Sequence, residues 1–190
     1  MTGWDEGTWT HEPEHTAVDG DALVVTAKNG SDAWRNTAYG FVHDSAHALL
    51  KPLDVGGAVE VTFSASWEGQ FDQAGIFVQI DEERWVKSGV EFADEHLGLG
   101  AVVTDGDSDW SVGYVDDWLD REITLRVSRW AEALIVRARA DGEGWRLIRV
   151  APFDGRAAAA AGPFLAAPTR AGLSVRFLRW EGSAADAALH

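Results

Sequence analysis

The chain has 190 residues and no cysteine, and its 16 Lys+Arg against 31 Asp+Glu give a formal net charge of −15. That length buries enough surface to fold without crosslinks, and the missing thiols exclude disulfides, thiolate zinc sites and cysteine nucleophiles together. The acidic field repels phosphate backbones and anionic lipid headgroups, so neither nucleic acid nor a membrane surface is an expected partner.

From the N-terminus, Met1-Thr2-Gly3-Trp4-Asp5 has neither the basic stretch nor the apolar run of a leader. No later apolar run is long enough to span a bilayer, and a cytoplasmic location is expected. Met1 to Gly7 and Ser183 to His190 read as fraying ends of a single domain with an ordered core over about residues 8–182. His11-Glu12-Pro13-Glu14-His15 matches the H-E-x-x-H zinc string. Pro13 destroys the helical geometry that string needs, and on an extended chain the two histidines stand roughly 13 Å apart. An exposed polar loop is expected, with no metal.

Ser31-Asp32-Ala33-Trp34 is a polar connection that places Trp34 on a binding rim. Val59 to Ala65 then alternates apolar and polar residues as a half-buried strand does. Ile76, Val78 and Ile80 share one parity, Asp81-Glu82-Glu83 marks a turn, and Val86, Val90 and Phe92 resume the buried parity. Pairing of those two strands leaves Gln73, Gly75, Phe77 and Gln79 on the same open face as Trp85, Lys87, Gly89 and Glu91. Asp105-Gly106-Asp107-Ser108-Asp109 spaces oxygens as calcium loops do, but Trp110 stands where glycine is needed, so a solvated turn is expected with Trp110 on a rim.

Further alternation at Ile123–Val127, Leu134–Val136 and Leu173–Phe177 adds strands, and Asp141-Gly142-Glu143-Gly144 reads as a hairpin turn. Ala157–Ala161 reads as a loop with a helical turn, cut short by Gly162-Pro163. Trp67, Trp118, Trp130 and Trp145 are expected in the core. About a dozen strands in one domain must stack or close. The expected fold is therefore all-β, a two-sheet antiparallel jelly-roll sandwich. Nucleophile elbows and phosphate loops are missing from the sequence.

The shared face sets an indole, an ammonium and a carboxylate around a glycine floor formed by Gly75 and Gly89. Such a surface suits neutral polyhydroxylated ligands, because flat rings stack on C–H patches while amides and charges bind hydroxyls. The plainer reading makes Lys87 and Glu91 ordinary cross-strand charges. The ligand-binding candidates are Trp34, Asp72, Gln73, Trp85, Lys87, Glu91, Asp109, Trp110 and Arg149, with Glu91 held by Lys87 or Arg149.

Several ordered blocks carry a resemblance over about Trp9 to Phe177: Trp9-Thr10-His11-Glu12-Pro13, Asp32-Ala33-Trp34, Asp72-Gln73-Ala74-Gly75, Trp85-Val86-Lys87-Ser88-Gly89-Val90-Glu91, Ser108-Asp109-Trp110-Ser111 and Gly162-Pro163-Phe164. Together they resemble the regulation-of-enolase group, a domain-of-unknown-function family with a concanavalin A-like lectin/glucanase fold. The resemblance implies a jelly roll with a concave face and brings no catalytic residues with it; His11 stands where an Asn is expected in the opening motif.

Three functions compete. The first is a carbohydrate or small polar metabolite binding module. The second is a glycoside hydrolase or lyase using Glu91. Glucanases of this fold resemble one another in an E-x-D-x-E strand, whereas Glu91-Phe92-Ala93-Asp94-Glu95 has Ala93 in the middle, leaving Glu95, Asp72 or Asp109 as the second carboxyl. The third is a protein-interacting metabolic regulator. No cofactor is expected, and the sequence carries no signal for oligomeric state.

Overall fold

The computed structural model describes residues 3–189. Runs rich in Val, Ile, Thr and aromatic residues with period 2 become strands wherever a second layer covers their apolar side. Among the described residues these are β1 (Thr8–Trp9), β2 (His15–Asp19), β3 (Ala22–Thr26), β4 (Ala33–Arg35), β5 (Val42–Asp44), β6 (His47–Pro52), β7 (Gly57–Ala65) and β8 (Asp72–Gln79). The second half supplies β9 (Arg84–Ala93), β10 (His96–Asp105), β11 (Asp107–Tyr114), β12 (Ile123–Arg129), β13 (Ala133–Ala140), β14 (Arg146–Pro152), β15 (Ala160–Ala166) and β16 (Ser174–Ala184). The first sheet runs β1-β6-β15-β8-β9-β10-β11, the second β14-β13-β12-β7-β16-β3-β2, and β4 pairs with β5 as a separate hairpin. This is the two-sheet antiparallel sandwich expected from the alternation.

The core lies between the sheets. Ala74, Ile76, Val78, Val86, Val90, Leu97 and Leu99 of the first sheet join one apolar cluster with Val61, Phe63, Ile123, Leu125, Val175 and Phe177 of the second. Of the six residues expected there, Ile76, Val78, Val86 and Val90 are buried, and Phe92 packs partly buried at the margin. Ile80 is only half-buried, because β8 stops at Gln79 and the Ile80 amide already donates to Arg84 O at 3.0 Å in the turn.

Four other expectations are corrected. Trp145 is 37% exposed, lying under the Arg139 guanidinium at 4.3 Å instead of in the core, while Trp118 and Trp67 are buried. Trp130 is half-buried, with its indole N–H donating to Asp186 O at 2.9 Å. Ala160 and Ala161 open strand β15 opposite Gln79 and Val78 with no helical turn before them, since pairing on both edges outweighs alanine's helix propensity. The ends are docked. Trp4 is buried in a short 3-10 turn, its ring stacks on Trp180 at 6.0 Å, and its N–H donates to Asp21 O. Asp186 takes up Arg126 at 2.9 Å and also Arg137. Met1, Thr2 and His190 lie outside the described residues.

Candidate functional site

Directly opposed residues of antiparallel strands point to the same side, so the registers lay out the outer face of the first sheet as rows. Gln73, Glu91, Gly98 and Tyr114 form one row, and Phe77, Lys87, Val102 and Trp110 another. Between them runs Phe164, Gly75, Gly89, Gly100 and Val112. A Cβ at Gly75, Gly89 or Gly100 would stand 2.0 Å from a carbonyl oxygen of the next strand. These three glycines allow close strand approach and leave an open floor between Lys87 and Glu91.

The β4–β5 hairpin lies across this face. Its Arg35 side chain donates to Gly106 O at 3.1 Å and to Glu83 at 2.8 Å, the Arg35 amide donates to Ser108 Oγ at 2.9 Å, and Asn36 donates to Asp107 at 2.8 Å. These bonds pin the hairpin to the β10–β11 turn, the start of β11 and the β8–β9 turn. Ala33 of the hairpin packs with Ala46, Ala48, Phe77, Trp85, Val102 and Phe164 in a second apolar cluster.

Hairpin and sheet enclose a cavity of about 300 Å³. Its aromatic wall is built on Trp34, whose ring meets Trp110 at 6.5 Å and 89° and Tyr39 at 5.7 Å, with Phe41 stacked on Tyr39 at 5.3 Å. The polar floor is a single network. Lys87, only 5% exposed, donates to Gln73 Oε1 at 2.8 Å and to Asp32 Oδ1 at 3.3 Å, and Gln73 Nε2 donates to the same Asp32 oxygen and to Phe71 O, each at 3.3 Å. Phe71 stands at φ +68, a left-handed conformation rare for a bulky residue. Its backbone N–H donates to Phe92 O at 2.7 Å and holds it there. Strain retained beside a cavity is where binding sites store it.

Glu91 completes the floor. Among the described residues its carboxylate receives no hydrogen bond, and Lys87 acts on it only through space. Burial pushes the Glu91 carboxyl up to about 6, Lys87 pulling it down and Asp32 raising it further.

Residues 9–185 match the family described as a protein of unknown function, DUF1349. The chain belongs to this family. Regulation of enolase protein 1 of Saccharomyces cerevisiae is 35% identical over 179 residues, which is 94% of this chain and 90% of that protein. A crystal structure of a functionally unknown protein from Saccharomyces cerevisiae superposes with a TM-score of 0.89 at 35% identity, covering 95% of this chain and 97% of that one. The metal-free lectin I-B4 of Griffonia simplicifolia shares the fold at a TM-score of 0.57 and 16% identity, covering 94% of this chain and 93% of the lectin. The family match, the relative at 35% identity and the shared two-sheet sandwich agree with the resemblance and the fold expected from the sequence.

Within this member of the family, Trp34, Gln73, Lys87, Glu91 and Trp110 all line the cavity. Trp34 and Trp110 do so from strands β4 and β11, where connecting loops were expected. The other four candidates stand elsewhere. Trp85 has the expected parity but is 3% exposed, stacked on Phe77 at 5.3 Å under the hairpin. Asp72 points inward with Ala74 and Ile76, where Arg170 binds it at 2.6 Å. Asp109 alternates with Trp110, hence faces away from the cavity, and pairs with Arg149 of the second sheet at 3.1 Å. Arg149 also donates to Ser111 at 2.9 Å, tying the two sheet edges together, and neither it nor Lys87 hydrogen-bonds Glu91. The floor and wall residues that sequence reading passed over are Asp32, Tyr39, Phe41 and Phe71. Asp32 sits two places before Trp34, and the aromatic trio of Tyr39, Phe41 and His43 was the available signal for the rest.

Proposed function

We propose that this is a cytoplasmic binding module for a saccharide or similar small polyhydroxylated ligand, taken up in the cavity between the β4–β5 hairpin and the first sheet. The observation that carries it is the pairing of perpendicular Trp34 and Trp110 rings with the Lys87–Gln73–Asp32 network below them. Indole faces stack on the apolar C–H side of a sugar ring, and the amide, ammonium and carboxylates bind its hydroxyls. A lectin of the same fold supports the reading, and no described helix is long and apolar enough to cross a membrane. A glycan array followed by calorimetry tests it. Trp110→Ala is expected to weaken the best saccharide by about tenfold or more, and an array with no saccharide bound by the native chain overturns the reading.

A second reading, glycoside hydrolysis with Glu91 as proton donor, draws on the carboxyl pushed up to about 6. Such chemistry needs a second carboxyl about 5–9.5 Å away. Glu95 lies in the exposed β9–β10 turn, and Asp72 and Asp109 are engaged by arginines off this face. Asp32 is the carboxylate that shares the floor, and it is already tied to Lys87 and Gln73. Turnover of aryl glycosides that disappears in Glu91→Gln would establish hydrolysis; saccharide affinity without turnover leaves binding. The relative's name concerns regulation of enolase, and a regulator that senses a polar metabolite would use the same cavity.

A further inference from the structure

The charges of the cavity do not cancel. Lys87 faces Asp32 at 3.3 Å, so that ammonium and that carboxylate neutralise one another, and Gln73 closes their hydrogen bonds. Glu91 is left over: its carboxylate has no hydrogen-bond donor among the described residues, though it sits beside the aromatic wall in a half-buried position. His43, the remaining titratable group of the wall apart from Tyr39, is stacked edge-on against Phe41 at 4.5 Å and forms no ion pair among the described residues. An uncompensated carboxylate in a partly dry site is costly unless something cationic meets it.

The wall has matching chemistry. Ring faces carry negative quadrupole charge, and the half-exposed Trp110 indole, set perpendicular to Trp34, offers aromatic surface of that kind at the cavity mouth. The rim is also open enough for entry, with Trp110 44% and Tyr39 63% exposed. Around the molecule, the net charge of −15 steers cations inward and anions away.

We infer that the cavity selects ligands bearing a protonated amine, of the amino-sugar type, with Glu91 as the counter-charge and the Trp34–Trp110 corner as the cation's aromatic seat. This inference rests on the saccharide reading and narrows its ligand class. A neutral hexose fills the same space but leaves Glu91 uncompensated. An N-acetylated hexosamine keeps the shape and loses the charge, and an acidic sugar adds repulsion.

Calorimetry at pH 7.5 with glucose, N-acetylglucosamine, glucosamine and choline tests it on the native chain and on Glu91→Gln, whose folding is checked by thermal unfolding. Glucosamine is expected to bind about tenfold tighter than glucose or N-acetylglucosamine, and in Glu91→Gln that preference is expected to collapse to near one. Equal binding of the amine and the neutral sugars, or a preference that survives Glu91→Gln, overturns the inference and leaves the saccharide reading intact. Choline binding that depends on Glu91, with none of the three sugars bound, sustains the cation seat and overturns its amino-sugar assignment. If none of the four probes binds at millimolar concentration, the cation seat is rejected.

Discussion

Glu91 and His47 move stability with pH in opposite directions. Glu91 binds its proton more tightly folded than unfolded, about 6 against 4.5. The stability that proton contributes is complete below 4.5 and is lost as pH rises through about 6. At neutral pH the ionised, half-buried carboxylate therefore costs the fold up to ~2 kcal/mol. His47 is 1% exposed, and burial holds its pKa below the ordinary 6.5. Its neutral ring donates from Nδ1 to His11 O and accepts at Nε2 from the Lys28 amide, so its contribution is lost as pH falls below 6.5. Glu91→Gln separates the two. Compared with the native chain by thermal unfolding, it is expected to gain stability between pH 5 and 7.5, by ~1–2 kcal/mol at the upper end, and to match it near pH 4. A native-like pH profile in the variant would mean that Glu91 is not the buried carboxyl described. How far such residues can be read from sequence depends on distance along the chain. The shared face of Gln73, Lys87 and Glu91 follows from alternation inside two adjacent strands. The hydrogen bonds of Lys87 and Gln73 to Asp32, 55 positions from Lys87, do not.

Parity decides more at the element scale than composition does. Applied to β11 it separates Asp109 and Ser111 from Trp110 and Val112; treating Ser108–Ser111 as a loop hid that and put Asp109 with Trp110 in one site. Trp85 shows the converse limit. Its face was legible, but its burial depends on Phe164 of β15, on Ala33 of the hairpin and on Ala46 just after it, contacts that no local pattern encodes. The glycine row is the element with the sharpest consequence. In a strand, alanine is normally preferred over glycine by roughly 0.5–1 kcal/mol. At Gly89 the order reverses, because a Cβ there meets Ala74 O at 2.0 Å and Gly75 Cα at 2.8 Å. Gly89→Ala is expected to cost roughly 1–3 kcal/mol in denaturant unfolding and to part β8 from β9 beneath the cavity. Gly113, where nothing lies within 4 Å of the added Cβ, serves as the tolerant control.

Across the whole molecule, terminal segments expected to fray are fastened to the second sheet. Trp4 lies on Trp180 of β16 and reaches Asp21 in the β2–β3 turn, and Lys51 sits over the same Trp180 ring at 4.2 Å. Trp4→Ala is expected to cost roughly 3 kcal/mol in thermal or denaturant unfolding. A neutral outcome would restore the frayed end that the sequence suggested. The fold class was readable throughout because alternation recurs strand after strand. Strand order was not, since β15 pairs with β6 and β8, and β16 with β3 and β7, across long stretches of chain.

That interleaving has a consequence for how the protein is made. On a ribosome, β6 and β8 emerge with open edges and wait for β15 while about eighty further residues are synthesised, at roughly 5–20 residues per second. The gap between β3 and β7 stays open longer still, until β16 arrives. Neither half of the chain can close a sheet alone, so folding is dominated by long-range pairing and falls in the slow class for its size. Nascent or truncated chains that end before Ala160 expose four strand edges that the complete sheets cover, on β6, β8, β3 and β7, a form prone to stick to its own kind.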